Sequence, residues 1–538
     1  MKKIILFCLL FLGNLQYSTA QSAEELFKQY QTLSEAQKYE EAIVPLEKAA
    51  NQGHAEAQCK LGGCYDKGNG ISKDPTKAFY WFEQAANQGY AKAQYNLGVC
   101  YDDGDGVSKD SAKAVYWYEK AANQGDADAQ HNLGVCYYNG DGISKDLTKA
   151  VHWFEKAANQ GLADAQYNLG LCYYNGSGVS KDPTKAVHWF EKSANQDHIT
   201  AQYNLGVCYD NGEGVSKDPT KAVHWFEKAA NQGFAAAQYH LGACYYEGNG
   251  ISKDLTKAVH WFEQAANQGY ASAQFLFGLC YYNGDGVSKD PTKAAYWIEQ
   301  TANQGHAGAQ FLFGLCCYNG DGVSKDPSKA VHWFEKSANQ GLTDAQYHLG
   351  VCYYNGEGVP KDPTKAFYWY EKAANQGNLD AQHNLGFCYY KGDGVSKDPS
   401  KAFYWYEKAA NQGNLDAQQD LGFCYYKGDG VSKDPSKAFY WYEKAANQGN
   451  LDAQHNLGLC YYKGDGVSKD PIKAVQWLEK SANQGHASAQ FLLGLCYYEG
   501  MGVSIDKKKA AYWIEQAAIN GFPIAKAFWD ENELWKYK

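Results

Sequence analysis

Apolar residues along the chain recur at the spacing of amphipathic helices, in two alternating kinds of segment. In one kind, Ala93, Leu97 and Cys100 lie three or four residues apart, which predicts a helix with a single apolar face. In the other kind, an Ala-x-x-Trp-Phe-x-x-Ala pattern such as residues 150–157 predicts a second helix, whose remaining positions are mostly polar. We call these segments helix A and helix B, and together they predict a helix pair.

The pair recurs every 36 residues, and tryptophan marks the period. It occurs at Trp81, Trp117, Trp153, Trp189, Trp225, Trp261, Trp297, Trp333, Trp369, Trp405, Trp441, Trp477 and Trp513. We therefore expect thirteen units over residues 54–521, a degenerate helical repeat or cap at 21–53 and a capping helix at 522–538. Because one short pair cannot bury its apolar faces alone, neighbouring pairs must stack. The predicted fold is an all-α, right-handed superhelical solenoid of stacked antiparallel helix pairs.

The residues between the helices are those that end and begin helices. Asp182 precedes a proline at the start of helix B, as expected for an N-cap. Gly140 and Gly142 supply the backbone angles of the A–B turn, and Gly161 ends a B helix in the left-handed conformation. Asp197 replaces that last glycine once, which predicts local strain of roughly 1 kcal/mol.

The first twenty residues have the composition of a signal peptide. Lys2 and Lys3 precede an apolar stretch at 4–12, and small residues up to Ala20 offer a cleavage site that leaves Gln21 at the mature N-terminus. Nine apolar residues are too few to span a bilayer. We expect an exported protein, periplasmic or secreted, with no stable membrane insertion after cleavage.

The amino-acid composition argues against two classes of protein, disordered chains and nucleic-acid-binding proteins. Aromatic residues make up 15% of the chain, which argues against disorder. All 50 basic residues are lysine and the formal net charge is −10, so a nucleic-acid partner is not expected. Neither composition nor pattern sets an oligomeric state.

The consensus of the units is Ala-x-Ala-Gln-Tyr-Asn-Leu-Gly-x-Cys-Tyr-Tyr-x-Gly-x-Gly-Val-x-Lys-Asp, followed by Lys-Ala-x-x-Trp-x-Glu-Lys-Ala-Ala-Asn-Gln-Gly. This pattern resembles the Sel1-like repeat, which is related to tetratricopeptide repeats. The resemblance implies an adaptor that binds proteins or peptides, and in bacteria such proteins are often periplasmic or secreted. The chain departs from the family in repeating Cys where many members have another apolar residue, commonly Met.

The repeated cysteine has two interpretations. A disulfide framework would suit an exported protein. However, equivalent positions in stacked pairs should lie roughly 9–10 Å apart, beyond the roughly 7 Å that a disulfide spans. The cysteine-rich Sel1-like proteins that the chain resembles carry two cysteines per unit, whereas here there is one. We favour buried free thiols. Cys59 and the adjacent pair of Cys316 and Cys317 are exceptions to the pattern of one cysteine per unit.

Metal binding and catalysis are not expected, and neither is a cofactor. The recurring histidines fall on the polar side of helix B, one per unit and too far apart to share an ion: His152, His188, His224, His260 and His332. Residues 102–106 lack the ligand pattern of a calcium loop. Ser504 and Lys507 fit the Ser-x-x-Lys motif of β-lactam enzymes, an activity linked to some cysteine-rich relatives, but no companion motif follows.

A second stripe on helix A supplies the candidate binding surface. It comprises Tyr167, Leu171, Tyr174 and Asn175 and their equivalents, which we call the A stripe. By analogy with tetratricopeptide repeats it would line a concave groove for a protein or peptide. The predicted contacts are Tyr95, His131, Tyr138, Tyr167, Tyr174, Tyr203, Tyr239, Tyr246, Phe275, Tyr282, Phe311, Tyr318, Tyr347 and Tyr354.

Three functions remain open at this point. The first is an exported scaffold or adaptor that holds a partner in this groove through amphipathic rings. The second is an envelope component that binds glycan or peptidoglycan through the same aromatics, and the third is a secreted factor that acts on a host cell. The alternative for the rings is that they merely pack between neighbouring A helices.

Overall fold

The structure, a computed structural model, describes residues 21–538; the predicted signal peptide lies outside them. Within this range the chain forms twenty-nine α-helices and one short 3-10 helix, with no strand. Adjacent helices pack as pairs, so the predicted all-α stack is confirmed, whereas its handedness stays a prediction. None of the helices described is both long and apolar enough to cross a membrane.

The chain divides into two compact units at residues 270 and 271. In the first, seven pairs follow one another, with odd-numbered helices of type A and even-numbered helices of type B. They are α1 (Ala23–Glu35), α2 (Tyr39–Asn51), α3 (Ala55–Lys67), α4 (Pro75–Asn87), α5 (Ala91–Asp103), α6 (Ser111–Asn123), α7 (Ala127–Asn139), α8 (Leu147–Asn159), α9 (Ala163–Asn175), α10 (Pro183–Ala194), α11 (Ile199–Asn211), α12 (Pro219–Asn231), α13 (Ala235–Glu247) and α14 (Leu255–Asn267).

The second unit continues the same alternation and adds a final helix. Its helices are α15 (Ala271–Asn283), α16 (Pro291–Asn303), α17 (Ala307–Asn319), α18 (Pro327–Asn339), α19 (Thr343–Asn355), α20 (Pro363–Asn375), α21 (Leu379–Lys391), α22 (Pro399–Asn411), α23 (Leu415–Lys427), α24 (Pro435–Asn447), α25 (Leu451–Lys463), α26 (Pro471–Asn483), α27 (Ala487–Glu499), α28 (Lys507–Ile519) and α29 (Ala525–Glu531). The 3-10 helix is Leu534–Tyr537.

The helix ends form as the sequence predicts. The carboxylate of Asp182 accepts a hydrogen bond from the backbone N–H of Lys185, which caps α10. Gly140 and Gly142 adopt φ of 92° and 68°, and Asp197 is held at φ 63° in place of a glycine. Non-glycine residues rarely adopt this conformation, so the predicted strain at Asp197 is present.

In each pair after the first, a glycine of helix A faces a large side chain of helix B at close range. A Cβ added to Gly206 of α11 would lie 2.7 Å from ring carbons of Phe226 on α12, and only 3.3 Å from the carbonyl oxygen of Ala222. Phe226 is buried, with 1% of its surface exposed. The ring therefore occupies the space that a larger residue at position 206 would need.

Within each compact unit, successive pairs are joined by a buried glutamine of helix A. The Nε2 of Gln94 donates to the carbonyl of Ala86 at the end of α4 (3.2 Å), and its Oε1 accepts from Gln124 after α6 (2.7 Å). The buried glutamines, one in each A helix from α3 to α27 and each at most 7% exposed, are Gln58, Gln94, Gln130, Gln166, Gln202, Gln238, Gln274, Gln310, Gln346, Gln382, Gln418, Gln454 and Gln490. Inside a compact unit, such a glutamine binds the helix B before it and the end of the helix B after it.

The two ends of the chain cover the stack differently. The predicted N-terminal cap at 21–53 is a full helix pair, α1 and α2, whose first helix has a capping box between Ser22 and Glu25. At the other end, Trp529 and Leu534 are buried. Trp535, expected to contribute to this cap, is instead 55% exposed.

The cysteines are core residues. All fifteen within residues 21–538 are unpaired and buried, including the adjacent Cys316 and Cys317. Burial raises the pKa of the Cys172 thiol to about 11 and that of Cys280 to about 12. Because the thiolate is the reactive form, these side chains behave as small apolar groups.

The glycine contact can be tested on α3, which carries two adjacent glycines. A Cβ at Gly62 would lie 2.7 Å from the Phe82 ring, whereas one at Gly63 would meet nothing within 4 Å. We expect Gly62→Ala to lower the free energy of unfolding by about 1–3 kcal/mol. Gly63→Ala should leave it unchanged or raise it by up to about 1 kcal/mol, since alanine favours helix. Urea unfolding measures both, and equal effects would contradict the packing described.

The thiols allow a second test. A maleimide added to the folded mature protein should modify few cysteines, because burial keeps both access and the thiolate fraction low. After denaturation it should modify all fifteen. Intact mass measurement counts the labels, and native masses showing many disulfides would contradict the free-thiol core.

Candidate functional site

The A stripe is a half-buried surface rather than a freely exposed one. All fourteen predicted contact residues are partly exposed: Tyr95, His131, Tyr138, Tyr167, Tyr174, Tyr203, Tyr239, Tyr246, Phe275, Tyr282, Phe311, Tyr318, Tyr347 and Tyr354. They differ from the buried face of the same helices, where Leu169 is fully enclosed and Cys172 is 1% exposed. The stripe is therefore distinct from the core, as expected from the spacing.

The A stripe lines a series of cavities between neighbouring A helices. One of about 270 Å³ lies between α7 and α9, among Val135, Tyr138, Asn139, Asn168 and Leu171. Another of about 150 Å³ continues from α9 to α11. In the second unit, a cavity of about 400 Å³ lies between α19 and α21 and is lined by the equivalent positions. Of the fourteen predicted contact residues, Tyr138, Tyr174, Tyr347 and Tyr354 line these three cavities.

The rings at the first stripe position also support the fold. Tyr167 lies 6.0 Å from the buried Phe190 of α10, measured between ring centroids, and stacks at 4.7 Å on His198, which begins the next A helix. In the second unit, Tyr347 lies 6.2 Å from Tyr370 of α20. Packing, the alternative explanation of the aromatic pattern, therefore accounts for Tyr167, which lines none of these cavities. Tyr347 both packs in this way and lines the cavity between α19 and α21.

Some tyrosines at the third position tie one pair to the next through an acid 39 residues later. The hydroxyl of Tyr174 donates to Glu213 (2.7 Å), and Lys181 binds the same carboxylate (3.1 Å) while lying 5.4 Å above the Tyr174 ring. The bond to Glu213 raises the pKa of Tyr174 to about 12 and lowers that of Glu213. An ion pair and a ring therefore act together at this junction. Tyr354 donates in the same way to Asp393 (3.2 Å), without an ion pair.

Three units carry histidine at the first stripe position, and their electrostatics differ. His131 contacts Asn168 of the next A helix at 2.9 Å, and burial lowers its pKa. His383 lies 2.9 Å from the carboxylate of Asp420. Burial disfavours a charge on His383, but the hydrogen bond to Asp420 outweighs it and the pKa is raised.

The five histidines before the tryptophans, His152 among them, are exposed as predicted. Within residues 21–538 no group of three donor side chains is arranged to hold a metal ion. In the Ser-x-x-Lys motif, Lys507 donates to the backbone carbonyl of Tyr498 (2.9 Å), and Ser504 is exposed.

One exposed feature escaped sequence reasoning. Tyr368, Tyr404 and Tyr440, on the B helices of three successive pairs, are 46%, 52% and 54% exposed. Each packs edge-on against the following tryptophan, with ring centroids 5.0–5.1 Å apart. They occupy the position before the tryptophan that the exposed histidines fill in other units. This shared position is the sequence signal from which their exposure could have been predicted.

His455, a histidine at the first position of the A stripe, predicts that the free energy of unfolding decreases in acid. Burial and the neighbouring His486 lower the pKa of His455 to about 4, from about 6.5 in an unfolded chain. Below pH 6.5 the unfolded chain therefore takes up the proton first, and His455 costs roughly 2 kcal/mol of stability at pH 5. His455→Tyr, which installs the common stripe residue, should reduce this loss in urea unfolding at pH 7.5 and 5.

His383 provides the comparison. The raised pKa of His383 adds stability in full below about pH 6.5, and this is lost as the pH rises through its folded value, so His383→Gln should act in the opposite direction. An unchanged acid sensitivity in His455→Tyr would contradict the assignment.

Comparison with known proteins agrees with this architecture. The Sel1 repeat family model matches thirteen consecutive segments, from residues 55–90 to residues 487–522. A protective antigen of uropathogenic Escherichia coli with an SLR fold is 38% identical over 83% of this chain and 96% of its own, with a TM-score of 0.71.

Two further solved structures are less similar. A Sel1 repeat protein from Oxalobacter formigenes is 33% identical over 62% of this chain and 94% of its own (TM-score 0.46). Cysteine-rich protein B of Helicobacter pylori is 27% identical over 23% of this chain and 93% of its own (TM-score 0.21). No curated protein matches the chain. With thirteen matched units that cover most of its length, the chain belongs to the Sel1 repeat family.

Proposed function

We propose that the chain is an exported scaffold that holds a protein or peptide partner along the A stripe. The observation that carries this proposal is the coincidence of the stripe with the cavities between A helices. A partner side chain entering the cavity between α19 and α21 would meet Val351, Tyr354 and Phe387 as apolar walls, with the amide of Asn384 beside them. Apolar walls with few polar groups are typical of peptide-binding surfaces.

The repetition of these cavities favours an extended partner. Equivalent stripe residues recur once per pair, and pairs are roughly 9–10 Å apart. Since an extended chain rises about 3.3 Å per residue, side chains about three residues apart in a polypeptide could occupy consecutive cavities. The rings are already held by Phe190 or its equivalents, and a surface held in place loses little entropy on binding. Export is supported by the composition of residues 1–20.

A binding role also fits the chemistry better than catalysis does. Sel1 repeat proteins are generally non-catalytic scaffolds that mediate protein interactions. The thiols next to the stripe have raised pKa values, about 12 for Cys208, because burial stabilises the neutral form. A nucleophilic cysteine requires the opposite shift.

Site-specific photocrosslinking tests the proposal. Benzoylphenylalanine at position 138, in the cavity between α7 and α9, should crosslink a partner in the native compartment, because that cavity is part of the binding surface. The same group at position 152, on the exposed side of α8, serves as the control and should not. Mass spectrometry of the captured species identifies the partner, and capture from position 152 alone would refute the proposal.

The affinity of the captured partner provides the second arm. Tyr138→Ala, Tyr174→Ala and Tyr246→Ala combined should weaken binding by about tenfold or more while helicity is retained. Because each ring also packs on a phenylalanine, as Tyr138 does on Phe154, the melting temperature should fall modestly. Loss of helicity would instead assign these rings to the core.

A further inference from the structure

The first unit contains a cavity unlike the others. It has a volume of about 550 Å³ and lies between α3 and α5, with α1 contributing Tyr30. Its walls include the rings of Tyr30, Phe82 and Tyr90, and its rim carries the carboxylates of Asp66 and Asp105. The cavities elsewhere along the A stripe that are described above measure about 150–400 Å³.

The extra space results from three small residues at stripe positions. Cys59 stands where all but one of the other units have Tyr95 or an equivalent ring, Gly63 where all but one have a branched or aromatic side chain, and Asp66 where most have tyrosine. A Cβ on Gly63 would meet nothing within 4 Å, which confirms that this side of α3 is open. The cavity is therefore the volume that the missing side chains of the stripe would fill.

The charges around this cavity differ from those at most junctions of the stripe. At two other junctions the third stripe position and the residue 39 later are complementary: Tyr174 donates to Glu213 and Asn249 donates to Asp210 (3.2 Å). At the cavity, the corresponding residues are two acids, Asp66 and Asp105. The next unit also has two acids here, but Asp141, opposite Asp102, accepts a hydrogen bond from Asn139 (3.0 Å). Like charges placed opposite one another repel.

Three lysines, Lys60, Lys67 and Lys92, also border the cavity, but within residues 21–538 neither Asp66 nor Asp105 forms an ion pair. Lys92 is held by Asp128 at 2.7 Å. Lys60 and Lys67 are exposed at the rim and lie beyond ion-pair distance of either acid.

The surroundings also define what kind of cation would fit. Burial first, and then the nearby carboxylates of Asp66, Asp105 and Asp103, raise the pKa of the Cys100 thiol to about 12, which places their negative charge at the cavity floor. A metal ion is disfavoured, because no group of three donors in the part of the chain that the structure describes is arranged to hold one. Aromatic walls instead suit an organic cation with an aliphatic stem.

We propose that this cavity takes one basic side chain, a lysine or arginine, of an extended partner polypeptide. The stem of the side chain packs against Tyr30, Phe82 and Tyr90, and its cationic head lies between Asp66 and Asp105. The inference rests on the proposed function, since the basic residue belongs to the partner held along the A stripe. It requires the partner polypeptide to carry a positive charge in the part that lies on the first unit.

Two small probes of the same shape test the charge requirement on the full mature chain. N-acetyl-argininamide carries the guanidinium, whereas N-acetyl-citrullinamide is its neutral analogue. Saturation-transfer NMR titration should give affinity about fivefold or more higher for the charged probe. Asp66→Asn with Asp105→Asn should abolish that difference, because both carboxylates are neutralised without a change of shape.

Two further variants complete the design. Asp210→Asn removes an acid at the same position of another unit, one already bonded to Asn249, and should leave the preference intact. Cys59→Tyr with Asp66→Tyr restores the usual stripe residues and should remove saturable binding of both probes. Retained helicity by circular dichroism shows that each variant is folded.

The inference is overturned by equal affinity for the two probes, by no saturable binding of either, or by a preference that survives in the Asp66→Asn, Asp105→Asn variant. These outcomes leave the proposed function standing if position 138 still crosslinks a partner. Conversely, a partner captured only from position 152 refutes the proposed function, whatever the small probes do.

Discussion

Within each compact unit, the buried glutamine of helix A is the interaction on which the stack depends. Its amide donates to a carbonyl at the end of one B helix and accepts from the glutamine that ends the following B helix, as Gln382 does with Ala374 and Gln412. Any buried amide left without these partners costs about 1–3 kcal/mol. Because both partners lie at fixed distances along the sequence, this bond sets the register of neighbouring pairs. The glycine and ring contact then sets how closely the two helices of one pair approach.

Much of this architecture can be predicted from the sequence because it depends on local rules. An aspartate before a proline begins a helix, and a glycine ends one, whatever surrounds them. Asp197 illustrates the strength of such rules, since the fold imposes φ 63° on a residue that disfavours it. The role of Gln94 could not be predicted in this way. Its position in the repeat is visible, but its partners, Ala86 and Gln124, meet it only when three helices are assembled.

The candidate site shows the same division between local and assembled properties. The A stripe follows from helical spacing, and the structure places its residues together on one side of the A helices. The half-burial of its rings does not follow from spacing, because it depends on Phe190 and its equivalents behind them. The cavity beside Asp66 was also missed. A sequence records which side chain stands at a position, whereas empty space arises from what three substitutions on neighbouring turns leave unfilled.

The pair formed by His383 and Asp420 bears on how the number of repeats can change. The units 378–413 and 414–449 differ only at His383/Gln419 and Asn384/Asp420, so recombination between them would delete 36 residues in frame. Loss of the second unit would bring His383 opposite Asn456, the same pairing that joins His131 to Asn168. Loss of the first would bring Tyr347 opposite Asp420, a hydroxyl facing a carboxylate. Either junction is chemically satisfied, so the length of this protein can evolve in whole steps without a new interface being invented.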